Sequence, residues 1–314
     1  MPHHVAELRG RGLLVSADVA KTWDAQARLA VATTLVRRWI GGRLRMRQRK
    51  DAPASAAWAL WFHGGVSRFV ARELLLELGL LTPDEYRAEL DSIELMLATS
   101  PLRDRPLSEL VARVDDPDPR VAVDARASLV ARGVMYATWI DARLRASPSH
   151  ETIGELLGMV VALAVVDNVS ELTLGQWLSH VRGFLWEDDP RADFESVVVR
   201  GERPKLRKGA LGPCFRARSA KLRRFELGFF DGSVAGVRRA LMLDPRGPAA
   251  KAGVRADDEI VELSYDDGDA TAEVSVTVTR GQADRTIRYR PAGPPLSGTR
   301  WMRVAGVSDE RCVR

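Results

Sequence analysis

The sequence is poor in the residues that usually announce a chemistry. Its five histidines show no metal-ligand spacing. His150-Glu151 begins like a zinc helix, but the position of the second His is Gly154, and the segment reads as a capping turn at a helix start. His63-Gly64-Gly65 has the look of a lipase oxyanion loop, yet no Gly-x-Ser-x-Gly elbow accompanies it, which excludes that class. Ser67 follows His63 by one helical turn and can face it, but no orienting carboxylate is identifiable, so the pair is weak evidence for a nucleophile. His3-His4 read as a disordered terminus. No apolar run approaches the roughly eighteen residues of a membrane span. The opening twenty or so residues hold no run long enough for a signal peptide. As the sequence stands these absences place the chain in the cytoplasm, without a membrane span. Only two cysteines are present, Cys214 and Cys312. In a cytosolic chain they read first as free buried thiols; in an exported chain they read as a disulfide tying the C-terminus back.

What is present is ordinary globular composition: 314 residues, 46% apolar and 28% charged, with eight Trp. That length supports about two domains, each with its own core. The net charge of +5 comes from 47 basic against 42 acidic residues, so the signs are interspersed. The local exception is Arg37 to Lys50. No nucleic-acid motif accompanies this basic stretch, and a helix end followed by a solvated loop explains it, so no nucleic-acid partner is expected.

The chain order is helical first. Ser16 or Asp18 can cap a first helix whose apolar face runs through Trp23, Leu29, Val31, Leu35, Val36, Trp39 and Ile40 and ends at Gly41-Gly42. A second helix runs from about Ser55 to Leu78 with Gly64-Gly65 inside it. Two mid-helix glycines cost about 1 kcal/mol each relative to Ala, so the pair implies close approach of another backbone. Thr82-Pro83-Asp84-Glu85 is a capping box opening the next helix. Helices follow near Leu107 to Val114, Val121 to Arg145, Ser149 to Val165 and Ser170 to Leu185. Beyond Trp186 the pattern changes to short apolar runs, first Phe194 to Pro204, then the strand-like alternation of Glu273 to Arg280 and Arg285 to Pro291. The expected organisation is an all-helical domain over 1–185 and a β domain over 186–314.

In order, Thr33 to Arg45 and Trp58 to Leu90 resemble the core of the glycyl aminopeptidase family, the PDZ-containing zinc metallopeptidases. Trp39, Trp61, Gly65, the Leu74 to Leu76 run and Gly79 to Tyr86 match that family's frame. The resemblance implies an α+β multidomain fold, in which a helical domain like the C-terminal lobe of a thermolysin-type peptidase precedes a PDZ-like β domain. It also implies where a zinc site would stand. The two His ligands fall on Thr33 and Arg37, the general base on Thr34, the third ligand on Gly64 and the transition-state Tyr on Val130. Thr is a poor ligand, Gly has no side chain, and a guanidinium offers no lone pair. The resemblance therefore implies a degenerate zinc site, with no metal, no cofactor and no catalytic residue among those positions.

The family frame normally carries a further β domain before the zinc helix, which this sequence lacks. If the start is truncated, the compartment expected is extracytoplasmic. The segments Arg224 to Phe230 and Asp244 to Leu263 resemble a PDZ domain, with Leu227, Gly228, Phe229 and Phe230 as the carboxylate-binding loop for peptide or protein C-termini. Only Ser264 to Ala272 separates Leu263 from the next strand, too short for the helix that forms the other wall of such a groove. A groove and a purely structural β domain both stand. So do three functions: an inactive peptidase relative acting in binding or as a scaffold, an active hydrolase of the same family with a non-standard site at His63 or His180, and a remnant that merely folds.

Overall fold

The computed structural model describes the chain apart from residues 1–3, 10–11, 18–22, 52–54, 149, 186–188, 235 and 313–314. The fold is α+β, and the chain divides into two compact units. One is His3–Ser219 with Thr299–Arg314; the other is Ala220–Gly298.

The larger unit opens with an antiparallel hairpin of β1 (His4–Arg9) and β2 (Gly12–Ala17). His4 therefore begins a strand rather than a disordered terminus. Ser16 lies in β2, and the alternative cap, Asp18, lies outside the described residues. Helix α1 (Ala25–Gly41) is capped instead by Asp24, whose carboxylate accepts the Ala27 N–H at 2.9 Å. Its core face is Ala27, Leu29, Val36 and Ile40, while Trp23, Leu35 and Trp39 are exposed. The expected face was too wide: a helix buries one stripe, Leu35 and Trp39 lie off it, and Trp23 precedes the helix.

Strand β3 (Arg45–Arg47) pairs in parallel with β4 (Glu171–Thr173), so this unit is not purely helical. Between them lies its centre. Trp61–Val66 is π-helical and continues into α2 (Ser67–Glu77). The capping box at Thr82 and Glu85 opens α3 (Pro83–Thr99). Then come α4 (Leu107–Ala112) and α5 (Pro119–Ala146), the latter started by Asp118 with Pro at its first turn. Thr152 and Glu155 form a second capping box at the head of α6 (Ile153–Val166), the turn expected around His150; the expected start, Ser149, lies outside the described residues. Helix α7 is Leu174–Leu185.

Residues 190–219 belong with this unit, not with the sheet that follows. Phe194 to Val199, a short apolar run expected to open the β domain, form the end of α8 (Pro190–Phe194) and a π-helical turn, Glu195–Val199. Arg132 of α5 explains the preference. Its buried guanidinium donates to the carbonyls of Val198 and Val199, each at 3.2 Å, and to those of Arg103 and Arg105 at 2.9 and 2.6 Å. Burial pulls its pKa down to about 10, which still leaves it charged at neutral pH. Turn carbonyls at Arg103 and Arg105 satisfy part of that charge, and the helix-end carbonyls of Val198 and Val199 complete it because residues 195–199 coil there. Gly201, at φ +72°, closes the turn: a Cβ would lie 2.4 Å from the Arg132 Nη2. Cys214 and Cys312 form a disulfide, not free thiols. Their Cα atoms are 5.2 Å apart, inside the bridging range. They share a small core with Tyr86, Phe215 and Trp301, so the C-terminal segment returns to the helical unit. The boundary at residue 185 is thus replaced by two crossings, near 219 and near 298.

Strands β5 (Phe215–Leu222) and β11 (Leu296–Arg303) carry those crossings and pair with each other. The smaller unit is a five-stranded sheet in the order β10-β9-β8-β7-β6, with β6 Phe230–Val234, β7 Val237–Leu241, β8 Glu259–Ser264, β9 Val274–Arg280 and β10 Ala283–Tyr289. Adjacent strands are antiparallel. One face of β9 supplies Val274, Val276 and Val278 to a core with Phe229, Ala249, Val254 and Ile287. The short helix α9 (Pro248–Ala252) caps that core.

Candidate functional site

The π-helical stretch positions everything around it. Its glycines allow backbone contact with α5: a Cβ on Gly65 would lie 2.5 Å from the Gly133 Cα and 2.6 Å from the Val130 carbonyl oxygen. Trp61 is fully buried and packs edge-on to Tyr136 and Phe194, with ring centroids 5.6 and 5.1 Å apart. Tyr136 in turn accepts the Trp177 indole N–H at 3.1 Å. Such π-helical insertions often mark functional sites, because they shift the side chains that follow onto a new face.

The five positions of the degenerate zinc frame are partly gathered by this geometry. Thr34 and Arg37 of α1 line a cavity of about 560 Å³, together with Leu60 and His63. Gly64 lies beneath, where a Cβ would sit 2.9 Å from the Val130 Cγ2 and 3.1 Å from the Leu60 Cδ1. The Val130 side chain therefore covers the space a longer residue at 64 would need. Thr33 is half-buried and does not line the cavity. The Thr34 hydroxyl donates to the Ala30 carbonyl at 2.9 Å and lies 3.1 Å from that of Ala6, the usual tie of a helical Thr to its own preceding turn. Among the described residues no three His, Cys, Asp or Glu side chains converge as metal ligands would.

His63 is the titratable group of the cavity. Its Nε2 accepts the Met46 N–H at 3.1 Å, so the proton of the neutral ring sits on Nδ1. That Nδ1 is buried without a hydrogen-bond partner among the described residues, facing Gly41, where a Cβ would be 3.2 Å away. Burial, and after it the positive charge of Arg37, lowers its pKa to about 4. His63 is a neutral imidazole at pH 7, already used as an acceptor. The Ser67 hydroxyl has no hydrogen-bond partner among the described residues and so does not pair with it. His180 on α7 and the exposed His150, whose Nδ1 lies 3.1 Å from the Arg145 carbonyl, do not line the cavity.

Two further cavity residues, Arg38 and Arg45, were not singled out by motif. Their signal was the basic stretch Arg37 to Lys50, which reads as a solvated helix end; the turn at Gly41-Gly42 and strand β3 fold its first half around the cavity instead.

In the smaller unit the loop Leu227, Gly228, Phe229 and Phe230 leads into β6, the edge strand. Gly228 has φ +89° and packs on α9, a Cβ there falling 2.9 Å from that of Ala249. Phe229 is buried in the core and Phe230 is exposed on the edge. The Leu227 carbonyl accepts the Tyr289 hydroxyl at 2.6 Å, and the Gly228 carbonyl accepts the Asp244 N–H at 2.8 Å. Residues 265–273 form turns, with no helix between β8 and β9.

Among solved structures the chain is similar to an aminopeptidase N family protein from Idiomarina loihiensis, with a TM-score of 0.53 and 14% identity. The match covers 89% of this chain and 53% of that one, so the chain spans about half the length of that structure. The likeness is one of fold, and the fold is peptidase-like. No family profile matches the chain, and no curated protein matches it in sequence.

Proposed function

We propose that this chain is a catalytically inactive relative of the PDZ-containing metallo-aminopeptidases, acting as a peptide- or protein-binding protein. The observation that carries the proposal is the filling of the frame where a metal and its base would stand. Val130 lies over Gly64, and Arg37 and the internally bonded Thr34 take the positions of a ligand and the general base. A catalytic zinc needs about three protein ligands and an open position for water. A guanidinium at one of those ligand positions opposes the cation by charge as well as by lacking a lone pair.

The binding role has two supports. The sheet unit, read as PDZ-like, presents β6 as an edge strand beside the Gly228 turn, the combination that captures an extended chain and its C-terminal carboxylate. The missing second wall favours a shallow edge over a closed groove. The disulfide favours an oxidising compartment outside the cytosol.

The test is turnover of peptides with N-terminal Gly or Ala by the full chain, with and without added zinc. The expected result is no hydrolysis above a buffer control in either condition. Turnover that His63→Ala or His180→Ala abolishes would replace the proposal with a hydrolase using a non-standard site.

A further inference from the structure

The cavity beneath α1 has a chemistry of its own. Arg37, Arg38 and Arg45 lie on its wall, and among the described residues no carboxylate lines it. Among the described residues Arg37 and Arg38 have no acidic partner. Arg45 is 3.6 Å from Glu171, whose same oxygen is held at 2.5 Å by Arg47. Arginines usually find carboxylates in this sequence: α3 alone meets Arg28 through Glu85, Arg68 through Glu89 and Arg203 through Glu94. Two adjacent exposed guanidiniums without such a partner, at the rim of a half-open cavity, leave a local positive field uncancelled by the described residues. Ala56, Ala59, Leu60 and Met46 give the cavity an apolar side, and Thr34, Ser55 and His63 add neutral polar groups.

We infer that this cavity is a binding site for a small amphiphilic carboxylate, whose anion is held by Arg37 and Arg38 and whose short apolar body lies against Ala59, Leu60 and Met46. The inference deepens the proposed function, because it gives the vacated cleft a ligand opposite in charge to the zinc it resembles a site for. Arg presents a fork of donors that matches a carboxylate bidentately, which an isolated apolar cavity could not. The volume of about 560 Å³ falls in the range of small-molecule sites and exceeds what an inorganic anion fills. The apolar lining rejects a fully hydrated phosphate and accepts a body of a few carbons. The carboxylate can come from the terminus of a short peptide or from a free acyl acid, and the two share the recognised group.

The experiment is isothermal titration of the full chain with four probes: N-acetyl-Ala-Ala, its C-terminal amide, hexanoate and inorganic phosphate. The acids are expected to bind, and the amide to bind at least about tenfold more weakly, the loss of one charge-assisted contact. Binding by both acids identifies the carboxylate with any short apolar body; binding by the peptide acid alone identifies a chain terminus, and binding by hexanoate alone a free acyl acid. Arg37→Ala and Arg38→Ala should each weaken the acids by about tenfold or more, with an unchanged melting temperature as the folding control. Arg37→Lys should recover part of the loss by keeping the charge without the fork. Phe230→Glu, on the edge of the smaller unit, should leave this binding unchanged. Equal affinity for acid and amide, no binding of any acid, preference for phosphate, or loss in Phe230→Glu with retention in Arg37→Ala would overturn the inference. None of these outcomes depends on turnover, so the site can fail while the catalytic inactivity stands, and the reverse.

Discussion

The two faces of the stretch from Trp61 to Val66 make opposite use of the same backbone. One face is pressed against α5: Trp61 and Phe62 are fully buried among Tyr136, Trp177 and Phe194, and Gly65 meets Gly133 with no room for a methyl group. The other face carries His63 to a cavity and sets Gly64 against the side chains of Val130 and Leu60 rather than against backbone. Packing of the first kind depends on the exact shape of every residue, and changes there are costly. The second face tolerates change because side-chain ends can give way. A chain under no demand to hold a metal can lose the chemistry on one face and keep the architecture on the other.

The sharpest way to break this comparison is to add the same methyl group to neighbouring glycines. Gly65→Ala drives a Cβ into backbone atoms of α5, which cannot move independently, and should cost about 4 kcal/mol or prevent folding. Gly64→Ala meets only the ends of Val130 and Leu60 and should cost less than about 1 kcal/mol. Chemical denaturation of the two variants measures the contrast directly; equal losses would erase it.

A second difference appears in pH. His63 titrates near 4 when folded and near 6.5 when unfolded. Between those values the unfolded chain binds a proton that the folded chain refuses, so stability rises with pH across the window. The contribution is complete above about pH 6.5 and is lost as pH falls towards 4, on the order of 3 kcal/mol in all. Stability curves at several pH values should therefore be flatter for His63→Gln than for the parent over this window. An unchanged slope would remove His63 as its source.

Much of the helical unit was legible in the sequence because its signals are local. The capping boxes of Thr82 with Glu85 and of the turn at Thr152 start helices by local bonds, and the Gly64-Gly65 pair announces a backbone contact. What escaped depended on distant partners. Glu195 to Val199 belong to a short apolar run that reads as part of the β domain, yet they coil because Arg132, far away in sequence, needs the carbonyls of Val198 and Val199. Trp39 and Leu35 fit an apolar helical face yet lie outside it, since the stripe is fixed by what packs against α1. The candidate site was half legible: of the frame positions Thr34 and Arg37 line one cavity and Gly64 meets Val130, but the roles of Arg38, Arg45 and the tautomer of His63 follow only from the fold.

The most direct test of the central claim is zinc uptake by the parent chain beside a variant carrying Thr33→His, Arg37→His and Gly64→Glu together with Val130→Ala, which clears the space over position 64, measured by elemental analysis after equilibrium dialysis. The expected result is about one equivalent in the restored chain and less than about a tenth in the parent, since only the former offers three ligands. Stoichiometric zinc in the parent, or none in a folded restored variant, would contradict the assignment of these positions as a vacated metal site.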